Sequence, residues 1–119
     1  MRFHHLAIEV NDLETSSAFY QDYLGLQEER RMIFDDEELI FLVRNDFRLE
    51  LIFSGPQQQS TPQAVHLCFE VDRIGDIVNR FAKRGRAPLE GPYVLENGWK
   101  TVFYEGPDHE VLEFLQIEP

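Results

Sequence analysis

Cysteine is almost absent. Cys68 is the only one in 119 residues, so no disulfide closes within the chain, and a lone thiol fits a reducing compartment. Cations are scarce as well: 11 Lys and Arg stand against 22 Asp and Glu, a net charge of −11 with a pI near 4.6. Nucleic acid and anionic membrane surfaces both need basic patches, so neither is an expected partner. No apolar run approaches the ~18 residues of a membrane span. Strand-like alternation begins at Phe3, which leaves no room for a leader ahead of it, and a cytoplasmic location is expected. A Gly-rich phosphate loop and a Ser/His/Asp nucleophile spacing are also missing. What remains is ordinary globular composition, 43% hydrophobic and 28% charged, enough for one packed domain and unlike a disordered chain.

The chain repeats itself. The stretch FHHLAIEV at 3–10 returns as VHLCFEV at 65–71, with His5 on His66, Leu6 on Leu67, Glu9 on Glu70 and Val10 on Val71. Each copy alternates with period two and is followed by apolar residues at helical spacing. The first helix is expected from Asp12, a good N-cap, to Gly25, a good C-terminal stop; the second spans 73–84 and stops at Gly85. Three strands follow in each half: 26–34, 38–43 and 47–53, then 87–95, 99–104 and 110–117. Asp35-Asp36, Asn45-Asp46, Asn97-Gly98 and Gly106-Pro107-Asp108 mark the turns. A polar stretch with two prolines, SGPQQQSTPQ, reads as a linker. The organisation is a single domain: module 1 at about 1–54, a linker at 55–63, and module 2 at about 64–119. The class is α+β, two tandem βαβββ modules forming one curved mixed sheet, with a concave cavity inside and helices outside.

Strand parity picks out the chemistry. Leu49, Leu51 and Phe53 share a core face, so Arg48, Glu50 and Ile52 take the other; Leu112 and Phe114 are core, which turns Val111, Glu113 and Leu115 away. The same rule puts His5 and His66 on the face opposite the helices. An isolated carboxylate among apolar neighbours is costly. Two imidazoles and two carboxylates neutralise and hold a divalent metal with positions left open. A lone histidine on a strand is more often structural; four donors at repeat-related positions point to a site. His4 falls on the wrong face by parity and His109 in a turn, so both read as surface. Glu9 and Glu70 lie one strand step beyond, as solvated carboxylates or pocket rim. Cys68 reads as small cavity wall. Arg48 and Lys100 are strand cations able to meet an anionic substrate. Trp99, Phe34, Phe41, Phe103 and Tyr104 are candidate pocket aromatics, although core is the commoner fate of strand aromatics.

Three stretches carry a resemblance across the whole chain: HHLAIEVNDLETSSAFYQDYLGL, VHLCFEVDRIGDIVNRFAKRG and FYEGPDHEVLEFLQ. They resemble the vicinal oxygen chelate superfamily of glyoxalase I, methylmalonyl-CoA epimerase, extradiol dioxygenases, and fosfomycin and bleomycin resistance proteins. The resemblance implies paired βαβββ modules and, usually, a homodimer. It maps metal ligands onto His5, Glu50, His66 and Glu113, a His/Glu/His/Glu set that looks like glyoxalase I. It thus implies a lyase of the lactoylglutathione lyase type with one divalent ion per site: Zn, Ni, Mn, Co or Fe. The metal would hold the oxygens of a hemithioacetal and stabilise an enediolate, while Glu113, with Glu50 as its counterpart, moves the proton. The pattern breaks at Glu9, where glutathione-using members often carry Arg; a carboxylate there repels glutathione's own. A small oxygenated substrate is therefore expected more than glutathione itself. Two alternatives follow from the same resemblance: a non-catalytic sequestering protein of the bleomycin-resistance type, or an acyl-CoA epimerase. Sequestration gives no reason for an intact ligand set, and CoA phosphates call for clustered cations.

Overall fold

The computed structural model describes residues 2–34, 36–55 and 66–117. The chain divides into two compact units, Met1–Ser60 and Thr61–Pro119. The first holds β1 (Leu6–Glu9), α1 (Leu13–Leu24), β2 (Gln27–Phe34), β3 (Glu37–Arg44) and β4 (Phe47–Phe53). The second holds β5 (His66–Glu70), α2 (Ile74–Lys83), β6 (Glu90–Val94), β7 (Lys100–Glu105) and β8 (Val111–Gln116). Both follow the order βαβββ, and the class is α+β as expected. The hydrogen bonding of the described residues runs as two four-stranded mixed sheets, ordered β1-β4-β3-β2 and β5-β8-β7-β6. Asp35, most of the linker and the start of the strand expected from Ala64 lie outside the described residues.

In the first unit, α1 starts where Asp12 accepts the Thr15 N–H at 2.9 Å, satisfying a donor that has no partner within the helix. It ends at Gly25, whose φ of 72° suits a residue without Cβ. The Arg44 side chain donates to the Leu24 carbonyl at 2.7 Å and closes the same end. Buried Leu13, Phe19, Tyr20 and Leu24 line one face of the helix, which packs on β3 and β4. Ile40, Leu42, Leu49 and Leu51, all at 0% exposure, form the sheet side of that core.

In the second unit, Arg73 offers no side-chain cap to α2. The first free amide, that of Ile74, is instead accepted by the buried Gln116 side chain at 3.0 Å. Phe81 then stacks on Tyr104 with ring centroids 3.8 Å apart, and Phe114 packs against both. The edge strand β6 contains the cis Gly91–Pro92 bond and a register shift between Glu90 and Tyr93, a tolerated place for proline in a sheet. No helix among the described residues is long and apolar enough to cross a membrane.

Candidate metal centre

Each unit pairs its first strand in parallel with its last. Leu6 lies opposite Leu49 and Ala7 opposite Glu50. In the second unit Leu67 lies opposite Leu112 and Cys68 opposite Glu113. The register is the same in both: a glutamate sits across from the residue two places after a histidine. His5 Nε2 consequently lies 3.2 Å from Glu50 Oε1, and His66 Nε2 lies 3.1 Å from Glu113 Oε1. The flanking Leu49 and Leu51, and Leu112 and Phe114, are buried, so Glu50 and Glu113 lie on the opposite faces of β4 and β8, each beside its histidine.

The pairs fit a divalent ion. Two donors about 2.1 Å from one metal lie roughly 3.0 to 3.4 Å apart at octahedral or tetrahedral angles, and both separations fall in that span. The imidazoles remain reachable, with 33% and 51% of their side-chain surface open, while the carboxylates are largely covered at 12% and 16%. Each unit contains one such pair. Among the described residues, no three His, Cys, Asp or Glu side chains gather closely enough to hold an ion by themselves.

The surroundings are duplicated in part. Phe41 lies across from Glu50 and Phe103 across from Glu113. Their rings stand edge-on to His5 and His66, with centroids 5.4 Å and 6.4 Å away. One difference escaped sequence reasoning. Thr101, 2% exposed, donates its hydroxyl to Glu113 Oε2 at 2.6 Å. Thr101 pairs with Leu115, whereas the equivalent place beside Ile52 is taken by Leu39, which has no hydroxyl. The signal was available, because Thr101 shares parity with Phe103 on a strand facing Glu113.

The other expected residues are scattered. Cys68 is an exposed residue whose thiol is pushed up to about 11, by partial burial first and then by the charge and hydrogen bonding of Glu113 and the charge of Glu70. Glu9 and Glu70 are exposed at the ends of their strands. Arg48 is engaged: Nε and Nη2 grip both Glu29 oxygens at 2.9 and 3.0 Å, and Nη1 donates to the His4 carbonyl at 3.2 Å. Lys100 alternates with Val102 and Tyr104, away from the Thr101 and Glu113 side, and half-buried Trp99 precedes β7. Of the remaining aromatics, Tyr104 is core and Phe34 is exposed. His109 is an exposed turn residue beside Glu105. His4 is exposed, as expected; it precedes β1, which begins at Leu6, and its ring Nδ1 lies 2.8 Å from His5 Nδ1.

Residues 2–114 match the family model described as Glyoxalase/Bleomycin resistance protein/Dioxygenase superfamily. The chain belongs to that superfamily. Its relatives include the virulence protein STM3117 of Salmonella typhimurium, 26% identical over 97% of this chain and 83% of that protein. A glyoxalase family protein from Enterococcus faecalis is similar in structure, with a TM-score of 0.81 at 26% identity over 97% of each chain. The fosfomycin resistance protein FosX of Listeria monocytogenes, solved with Mn(II) and sulfate, has a TM-score of 0.79 at 12% identity over 98% of this chain and 93% of its own. Membership in the superfamily thus rests on the family match, and the shared fold agrees with it.

Proposed function

We propose that this chain is a divalent-metal-dependent enzyme of glyoxalase I type, moving a proton between adjacent carbons of a small oxygenated substrate. The observation that carries the reading is the duplicated pair: His5 with Glu50 and His66 with Glu113, at one register and at 3.2 and 3.1 Å. All four side chains are taken as metal ligands, the metal drawn from Zn, Ni, Mn, Co or Fe. That donor set suits several of these metals, and availability often decides among them. A bound ion would act as a Lewis acid toward substrate oxygens.

The protein's own groups would do the rest. Glu113 is the stronger candidate for the proton carrier, with Glu50 as its counterpart. The Thr101 hydroxyl on Oε2 would fix the plane of the Glu113 carboxylate and leave Oε1 as its working oxygen. Phe41 and Phe103 would exclude water beside the histidines. Exposed Glu9 disfavours an anionic glutathione conjugate. The engaged Arg48 has less to offer an anion than its sequence position implied.

Metal content decides the first half of this reading. Purified protein should carry close to one divalent ion per site, and His5→Ala and Glu113→Gln should each lose it or bind it at least tenfold more weakly. A wild-type protein that takes up no divalent metal would overturn the reading. The second half is tested with methylglyoxal and a panel of thiols. Turnover with a small neutral or cationic thiol exceeding that with glutathione is the expected order.

A further inference from the structure

His4 is, we propose, a positioning residue for His5 that exchanges its role from hydrogen-bond donor to acceptor when the metal arrives. The inference rests on the metal-centre reading above but concerns a side chain outside the ligand set. Four observations support it. The His4 and His5 rings meet Nδ1 to Nδ1 at 2.8 Å, edge to face at 83°. His5 directs its other nitrogen, Nε2, at Glu50. Phe41 stands edge-on to both rings. The His4 backbone is held by Arg48, itself gripped by Glu29.

Proton counting gives the roles. An ionised carboxylate only accepts, so in a neutral His5 ring without metal the Nε2 facing Glu50 carries the one hydrogen. His5 Nδ1 is then bare, and the hydrogen between the two rings belongs to His4 Nδ1. A metal on His5 Nε2 needs the lone pair there, which moves the His5 hydrogen to Nδ1. The short contact survives only if His4 Nδ1 becomes the acceptor, with its hydrogen on Nε2. Each ring holds one proton before and after, and neither changes charge. Imidazole can make this exchange, whereas a lysine only donates. The repeat-equivalent residue of His4 is Val65, which can do neither, so the device belongs to the first module. A histidine ligand whose second nitrogen is partnered binds metal more tightly.

The test uses the full chain, labelled with 15N. Ring-nitrogen spectra before and after zinc report the tautomer of each histidine, and calorimetry gives zinc affinity for wild type, His4→Phe and His4→Gln. His4 is exposed, and circular dichroism matching wild type verifies that both variants fold. Hydrogens on His4 Nδ1 and His5 Nε2 are expected without zinc, with both exchanged on saturation. His4→Phe keeps the ring but should lose about tenfold in affinity, and His4→Gln, whose amide donates or accepts, should restore most of it. A His4 tautomer that does not change through the titration overturns the inference, as does a Phe variant binding as tightly as wild type. If wild type binds no zinc, the metal-centre reading fails, and the metal-free tautomers alone still judge the pair: a bare His4 Nδ1 would refute it.

Discussion

Glu113 meets three side chains at once: His66 at 3.1 Å, the Thr101 hydroxyl at 2.6 Å and the Cys68 thiol. Its charge is one reason the thiol stands near 11. Glu113→Gln should therefore lower the thiol's pKa, though not to its ordinary value, because burial is the larger cause. Alkylation of Cys68 by iodoacetamide at pH 8.5 should speed up on the order of threefold to tenfold; an unchanged or slower rate would contradict this wiring. Parity alone placed Glu50 and Glu113 on the faces away from the helices, because each lies on a strand that alternates cleanly. It does not reach His4 or His5, because β1 begins only at Leu6, and it went unapplied to Thr101, whose hydroxyl gives no sequence pattern. For Lys100 parity was available too, and it sets the side chain on the face away from Glu113.

The elements were more legible at their punctuation than in their long-range ties. Asp12 and Gly25 announced both ends of α1, and each can be probed. Gly25→Ala forces a Cβ onto a residue at φ 72° and against the Arg44 guanidinium, so it should cost more than about 1 kcal/mol in urea unfolding. A stability equal to wild type would show that the closure by Arg44 can give way. Asp12 is held below its ordinary carboxylate value, chiefly by the Thr15 amide. A depressed pKa in the folded state stabilises above the unfolded value of 3.8 and is lost as pH falls through the folded one. Asp12→Asn keeps an acceptor but does not titrate. The melting-temperature advantage of wild type over this variant should therefore shrink between pH 7 and pH 3; a constant difference would disprove the linkage. The start of α2 was not legible in this way. Its cap is the Gln116 side chain, 42 residues further on, and no local pattern connects the two.

For the whole molecule, the repeat extends to what is left uncovered. β2 is an edge strand exposed along all eight residues, yet it ends in Met32, Ile33 and Phe34, at 44%, 77% and 67% exposure. Its repeat counterpart β6, also an edge, leaves Tyr93 and Val94 open and is followed by exposed Leu95. Single exposed apolar residues are normal, whereas contiguous ones at a sheet edge call for a cover or invite aggregation. A homodimer is the proposed cover, and the net charge of −11 sets how it should respond to salt. Two such chains repel one another, so association should strengthen as ionic strength rises and the repulsion is screened. Sedimentation of the wild type should give twice the 14.0 kDa chain mass, with dissociation easiest at low salt. Ile33→Lys and Val94→Lys, at positions 77% and 72% exposed, should shift the equilibrium to monomer by tenfold or more, equal to about 1.4 kcal/mol. A wild type that sediments as a monomer at every salt concentration would remove the dimer, and one lysine variant alone acting would assign the contact to a single module.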